Sequence, residues 1–274
     1  MNKWRIIISG KLKPAENMAM DSAILQGVVE GISPNTIRIY DWSPPTVSFG
    51  YHQDIANQID LNRVLENGFG IVRRPTGGRA VLHWDEVTYS VIAKNEGIFA
   101  GSILSVYKKI GLALLSSLRQ IGIEADMQDS FPSHAEQKDW TSPCFSSASK
   151  YEIQYKGKKL VGSAQVRKGT SFLQHGSILL NHNQEKMAEL LPAKNESQRK
   201  VLKKLMAKKT IQINRIVETP ITFSEFANIL KASFIKEFGI EALEKPNISQ
   251  VESNKYNSFL FDIEEENRII YKKN

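Results

Sequence analysis

Arg73-Arg74-Pro75-Thr76-Gly77-Gly78-Arg79-Ala80-Val81-Leu82-His83 is the stretch from which the rest of the chain can be ordered. Pro75 and the Gly77-Gly78 pair interrupt two runs that read as strands, residues 70–74 before them and 79–83 after. A third strand, 86–93, follows at once. Glycine has no Cβ, so backbone here can close tightly on itself or approach a bound molecule. Two readings stand side by side. One is a hairpin turn with its arginines in solvent; the other is a binding loop in which Arg73 and Arg74 meet a carbonyl or phosphate oxygen.

Outward from this unit the pattern alternates. Toward the N-terminus, residues 4–9 read as a strand, and Pro14 opens a helix to about residue 30 with Met18, Ala19, Ala23, Ile24 and Leu25 on one face. Residues 36–41 place Ile37 and Ile39 inward, Pro44-Pro45 breaks the strand, 46–51 resumes it, and 61–67 is a short helix stopped by Gly68. Toward the C-terminus, Ser102 caps a helix to about residue 120, carrying Ile103, Val106, Ile110, Leu114 and Leu118 at helical spacing. Residues 151–155 and 160–166 flank a Lys156-Gly157-Lys158 turn, and 172–180 gives another strand. From about 184 to 237 the chain is Lys/Glu-rich and helical, and alternating Phe259, Phe261 and Ile263 read as a terminal strand. The expected class is α+β: a mixed, mostly antiparallel sheet flanked by helices, with a small helical C-terminal extension. The expected organisation is a domain over 1–240, its motif core at about 31–180, and a tail over 241–274 packed on it.

A chain of 274 residues supports one large domain without disulfide or metal staples, and 41% hydrophobic with 24% charged residues excludes wholesale disorder. No apolar run approaches the roughly 18 residues of a membrane span, and the apolar run at 4–8 is too short for a signal peptide, so the cytoplasm is the expected compartment. The formal charge of +7 favours acidic partners without naming one. Its densest cluster, Lys200, Lys203, Lys204, Lys208 and Lys209, reads as a solvated helix face. Neither a GxxxxGK[ST] phosphate loop nor GxGxxG, HExxH or GxSxG occurs.

Two further segments carry chemistry. Cys144, in Ser142-Pro143-Cys144-Phe145-Ser146, is the only cysteine, which excludes an internal disulfide and a Cys-based zinc site. It reads either as a small buried hydrophobe or, placed after a proline in a Ser-rich loop, as a reactive thiol. In Gly157-Lys158-Lys159-Leu160-Val161-Gly162-Ser163-Ala164-Gln165, the two lysines of one strand point to opposite faces. One is solvated; the other points inward and needs a partner or a role. Gly162, Ser163 and Ala164 are all small, as a strand lining a cavity would be.

Taken together, RRPTGGRAVLH, the strand EVTYSVIA and then GKKLVGSAQ resemble the biotin/lipoate protein ligase superfamily. Within it, PCF ahead of KYEI, followed by GKKLVGSAQVRK and LQHGSILL, is similar to the LipM-type cysteine octanoyltransferases. The resemblance covers about residues 14–180 clearly and the remainder more loosely. It implies transfer of octanoyl from octanoyl-acyl carrier protein to one lysine of a lipoyl-accepting protein, such as glycine cleavage H protein, with no cofactor or metal and with neither nucleic acid nor membrane as partner. It makes Cys144 the acyl-thioester nucleophile and Lys159 the cation that lowers its pKa. It makes the Arg73, Arg74, Gly77, Gly78 and His83 segment a wall of the acyl site, and Gly162, Ser163 and Ala164 are expected to bind substrate with it. His175 in the QHGS motif falls near the site. Lipoate ligases resemble this chain in the same loop, but many carry a third glycine where Arg79 stands, and they use no cysteine at the Cys144 position. The rival readings are an amidotransferase that takes octanoyl from a lipoyl-accepting protein, an ATP-dependent lipoate ligase, and, from another class, a non-enzymatic nucleic-acid-binding protein.

Overall fold

The computed structural model describes residues 3–55, 58–128, 152–243 and 248–272. In chain order the elements that matter here are β1 (Lys3–Leu12), α1 (Pro14–Val29), β2 (Thr36–Trp42), β3 (Thr46–Phe49), α2 (Leu61–Glu66), β4 (Gly70–Arg73), β5 (Val81–His83), β6 (Val87–Lys94) and α3 (Ile103–Arg119). They continue with β7 (Asp126–Met127), β8 (Ile153–Tyr155), β9 (Lys158–Lys168), β10 (Ser171–Ile178), α4 (Met187–Leu190), α5 (Glu196–Lys209), α6 (Phe223–Phe238), β11 (Glu241–Ala242) and α7 (Gln250–Lys272).

Local chemistry sets the helix boundaries. Pro14 stands in the first turn of α1, where its missing N–H costs nothing, and Glu16 Oε2 accepts the Lys13 N–H at 2.8 Å. Ser102 Oγ accepts from Ser105 N at 3.1 Å to start α3. Thr222 and Glu225 form a reciprocal capping box at the start of α6.

Among the described residues, eight strands form one sheet in the order β11-β1-β2-β6-β10-β9-β8-β7, and β4-β3-β5 form a smaller one. In the large sheet only the β11–β1 and β1–β2 pairs are parallel; β2, β6, β10, β9, β8 and β7 pair antiparallel in turn. One face packs on α3 and α6: Val91 and Ala93 meet Val106, Ile110 and Leu114 of α3 and Phe226, Leu230 and Phe234 of α6. The intervening Ile92, with Leu173 of β10, meets Ile24, Leu25 and Val28 of α1 on the other face. This double cover explains a departure from the sequence reading. All seven residues of β2 are buried, where one-sided alternation is expected, because helices lie over both faces. Val47, Phe49, Ile71 and Leu82 of the small sheet form a second core with Leu61, Val64, Met187 and Met206.

The C-terminal segment corrects a second expectation: it is the helix α7, not a strand. Phe259, Phe261 and Ile263 imitate a period of two, but Phe261 is 64% exposed, while Ile263 packs beside Tyr40 and Trp42 and Ile270 beside the small-sheet core. Ile263, Glu266 and Ile270, which touch the body, stand three and four residues apart, a helical spacing, and no glycine or proline interrupts the run. Near its start, Glu252 receives Arg5 Nη1 at 2.8 Å, Arg5 Nη2 at 2.5 Å and Ser33 Oγ at 2.6 Å, all buried. Among the described residues, no helix is long and apolar enough to cross a membrane.

Candidate active site

The β8–β9 hairpin decides which lysine turns inward. Gln154 pairs with Lys159, and a register shift beside Ile153 lets Lys159, Leu160 and Val161 all be buried. Lys159 is 6% exposed and Lys158 only half-buried. Lys159 Nζ donates to Glu152 Oε1 at 2.5 Å, so the buried ammonium has a carboxylate beside it. Both side chains line a cavity of about 440 Å³, a size ordinary for small-molecule sites.

Small residues make room for that cavity. Gly162, Ser163 and Ala164 of β9 line it, and Gly176 of β10 lies across from Ser163. A Cβ on Gly176 would stand 2.6 Å from Tyr89 Cε1 and 2.7 Å from Ser163 Oγ, so any side chain there would push the floor into the cavity. The Tyr89 hydroxyl lies 2.7 Å from Ser163 Oγ and accepts from Gln174 Nε2 at 3.1 Å. Burial pushes its pKa up to about 12, against the pull of those two hydrogen bonds, so it remains a neutral phenol.

The opposite wall is the glycine loop. Gly78 has φ +97°, and its carbonyl oxygen lies where a Cβ on Gly50 would sit, 1.9 Å away, so the loop rests flat on bare backbone. Buried Arg74 ties it down. Its guanidinium donates to Ser48 O and Ser48 Oγ at 3.1 Å each, to Gly77 O at 2.9 Å and to Arg79 O at 2.7 Å. Arg73, next along the chain, turns the other way. It donates to Glu266 at 2.6 Å and to the carbonyls of Gly50, Tyr51 and Gln53, and it stands outside the cavity lining.

Of the residues expected at the acyl site, Arg74, Gly77, Gly78, His83, Lys159, Gly162, Ser163 and Ala164 converge on this one cavity, and Arg73 does not. Cys144 lies outside the described residues.

Two histidines also face the cavity, each backed by a buried carboxylate. His83 Nδ1 is 2.8 Å from Glu86 Oε1 and its Nε2 is 2.7 Å from Ser48 Oγ. His175 Nε2 is 2.7 Å from Thr76 Oγ1, and its Nδ1 is 3.6 Å from Asp21 Oδ2. Burial would raise the pKa of Asp21, but the charge of Arg38 and the His175 contact hold it below the ordinary value. Burial also lowers His175 below the ordinary imidazole range despite Asp21, which keeps it neutral near pH 7. Asp21 further accepts from Tyr40 and Ser90 at 2.9 Å each and pairs with Arg38. Ser48, Glu86, Asp21 and Glu152 were invisible as site residues in the sequence. Only Glu86 had a signal there, as an acidic residue three places from His83 at the head of a buried strand.

A three-stranded β-unit carrying the glycine loop, set against a lysine strand of a helix-covered sheet, is the architecture of a lipoate protein ligase. The structure overlays a bipartite lipoate protein ligase from Thermoplasma acidophilum with TM-score 0.77 at 20% identity, covering 95% of this chain and 93% of that one. It overlays a lipoate-protein ligase A bound with ATP with TM-score 0.74 at 21% identity, covering 94% of each. At such identity the agreement is one of fold. The chain belongs to the lipoyl protein ligase A/B catalytic domain family, whose sequence model matches residues 13–235. It is 39% identical over 261 residues to octanoyltransferase LipM of Geobacillus kaustophilus, 92% of either chain. To octanoyltransferase LipM of Moorella thermoacetica it is 45% identical over 206 residues, 75% of this chain and 74% of the relative. With these relatives it is an acyltransferase.

Proposed function

We propose that the chain transfers octanoyl from octanoyl-acyl carrier protein to a lysine of a lipoyl-accepting protein, such as glycine cleavage H protein, through a thioester on Cys144. The observation that carries this reading is a buried, carboxylate-held lysine in the wall of a cavity, facing a glycine loop, in a chain that matches octanoyltransferases over most of its length.

The chemistry follows from the groups. An acyl group on a carrier protein is already a thioester, so attack by the Cys144 thiolate exchanges like for like with little change in free energy and no ATP. The acceptor lysine then forms an amide, which makes the second step downhill. A free thiol near its reference pKa is only a few per cent ionised at pH 7. An ammonium at about 4 Å attracts a thiolate by roughly 4 kcal/mol at an effective dielectric of about 20, an upper guide that exceeds one pKa unit. Lys159 serves as that ammonium, and Glu152 fixes its place in the wall. Met18, Trp42 and Val81 give the cavity an apolar lining for the acyl chain, worth about 0.8 kcal/mol per buried methylene. A lone functional thiol that must stay reduced suits the cytoplasm.

The test is to incubate the protein with octanoyl carrier protein alone, without ATP, magnesium or acceptor. Intact mass should show one added octanoyl group, removable by neutral hydroxylamine, and absent from Cys144→Ser. Adding a lipoyl domain should discharge it onto one lysine. An adduct that needs octanoate and ATP would restore the ligase. An adduct formed only from octanoylated lipoyl domain would make the protein an amidotransferase.

A further inference from the structure

The transfer needs a proton acceptor that the cysteine and lysine do not supply. As the acceptor amine attacks the thioester, its nitrogen becomes positively charged and must release a proton before the amide is complete. Lys159 is an ammonium in the proposed thiolate pair and has no place for one.

On the opposite wall three residues stand in line. Ser48 Oγ is 2.7 Å from His83 Nε2, and His83 Nδ1 is 2.8 Å from Glu86 Oε1. Hydrogen-bonding capacity fixes the direction of the array. The Glu86 carboxylate only accepts, so His83 Nδ1 carries the imidazole proton toward it and Nε2 of the neutral ring is left to accept the Ser48 hydroxyl proton, while Arg74 Nη1 donates to Ser48 Oγ. Ser48 lines the cavity and keeps one acceptor lone pair beyond these two bonds. Glu86 is fully buried and is held from two further sides, by Thr88 Oγ1 at 2.6 Å and by Ser177 Oγ. Trp42 locks the assembly: its Nε1 donates to Thr88 Oγ1 at 2.8 Å, and its ring stacks on the His83 imidazole at 4.3 Å between centroids and 17° between planes. The Asp21 carboxylate stands farther from His175 Nδ1, at 3.6 Å.

The geometry points to Ser48 and His83 as the proton relay for the amide-forming half of the reaction, with Glu86 as the positioning residue behind them; this rests on the octanoyl-thioester reading above. The acceptor amine enters neutral, its first proton having gone to solvent. Its nitrogen forms the C–N bond as the C–S bond of the acyl-cysteine breaks, and that electron pair leaves on Cys144 Sγ as thiolate. The proton released from nitrogen passes to Ser48 Oγ while the hydroxyl proton passes to His83 Nε2. The resulting imidazolium, paired with Glu86, returns its proton to solvent.

Because the relay serves only this second half, the test separates the halves. Octanoyl-loaded enzyme is isolated, and its discharge onto a lipoyl domain is followed by rapid quench and intact mass for wild type, Ser48→Ala, His83→Gln and Glu86→Gln. In each variant, discharge should fall further than loading from octanoyl carrier protein. Discharge should fall on the order of 100-fold in His83→Gln and Ser48→Ala, and about tenfold in Glu86→Gln. Imidazole should restore discharge in His83→Gly. Discharge unchanged in variants that load, loading and discharge falling equally, or loss of loading in Ser48→Ala would each overturn the relay. Should His83→Gln fail to fold, Ser48→Ala, which removes one oxygen, decides. A wild-type enzyme that never loads would instead refute the thioester reading itself.

Discussion

Asp41, next to last in β2, has its carboxyl buried at 1% exposure, accepting the Trp42 N–H at 2.8 Å and lying 3.6 Å from Lys11 Nζ. Burial, aided by the charges of Glu86 and Asp85, outweighs the Trp42 N–H and Lys11 and raises its pKa from 3.8 to about 6. The folded state therefore holds this proton more tightly than the unfolded chain does. The stability this contributes is complete below pH 3.8 and is lost as pH rises through about 6. Asp41→Asn keeps an oxygen for Trp42 and removes the buried charge. It should raise stability at pH 8 by about 1–3 kcal/mol, a melting-temperature gain of several degrees that vanishes near pH 3.5. A gain independent of pH would mean that the carboxylate costs nothing in the fold. At the same scale, the β9 register separates two neighbours. Lys159→Ala should lower transfer sharply and raise the pH at which Cys144 is alkylated, while Lys158→Ala should be nearly silent. Equal losses from both would refute the assignment of the buried lysine.

Among elements, α7 shows what local sequence cannot report. Its anchor, Glu252, meets Arg5 across 247 residues of chain, and no window of sequence contains both. Burial would raise the Glu252 pKa, yet hydrogen bonds from Arg5, Ser33 and the Ser249 N–H lower it to about 2. Its stabilising contribution is thus present above the unfolded value of 4.5 and lost as pH falls toward 2. Glu252→Gln strands the Arg5 charge in the interior. It should destabilise the protein by about 3–5 kcal/mol, with hydrogen exchange accelerating first across 250–272. Stability unchanged at pH 7 would show that the helix is held by its apolar contacts alone. By contrast, the strands around the glycine loop and the inward turn of one lysine were legible, because alternation, glycine and small residues act within a few positions. The Ser48–His83–Glu86 line was only partly so. His83 and Glu86 are three residues apart, but Ser48 reaches them through the antiparallel pairing of β3 with β5, where Thr46 faces His83 and Ser48 faces Val81. That register is a product of the fold.

At the scale of the whole molecule, charge and topology meet at the cavity. Lys200, Lys203, Lys204, Lys208 and Lys209 are all exposed on α5. The chain leaving α5 runs directly alongside β9: Thr210 bridges Lys159, and the Ile211 N–H donates to the Lys159 carbonyl at 3.0 Å. A row of solvated lysines therefore ends at the strand that carries the buried one, on a chain whose net charge is +7. Carrier proteins and lipoyl domains are typically acidic, so their encounter with this surface should be steered electrostatically. Raising ionic strength from about 20 mM to about 500 mM shortens the Debye length from roughly 20 Å to roughly 4 Å. Under the proposed function, kcat/KM for both protein substrates should then fall about tenfold. A small octanoyl thioester carries no acidic surface, and its rate of loading Cys144 should change less than about twofold. Lys204→Glu with Lys208→Glu should reproduce the loss at low salt and flatten the salt dependence, leaving the small thioester untouched. A double variant that keeps the wild-type salt profile would show that the protein substrates approach the cavity from another side.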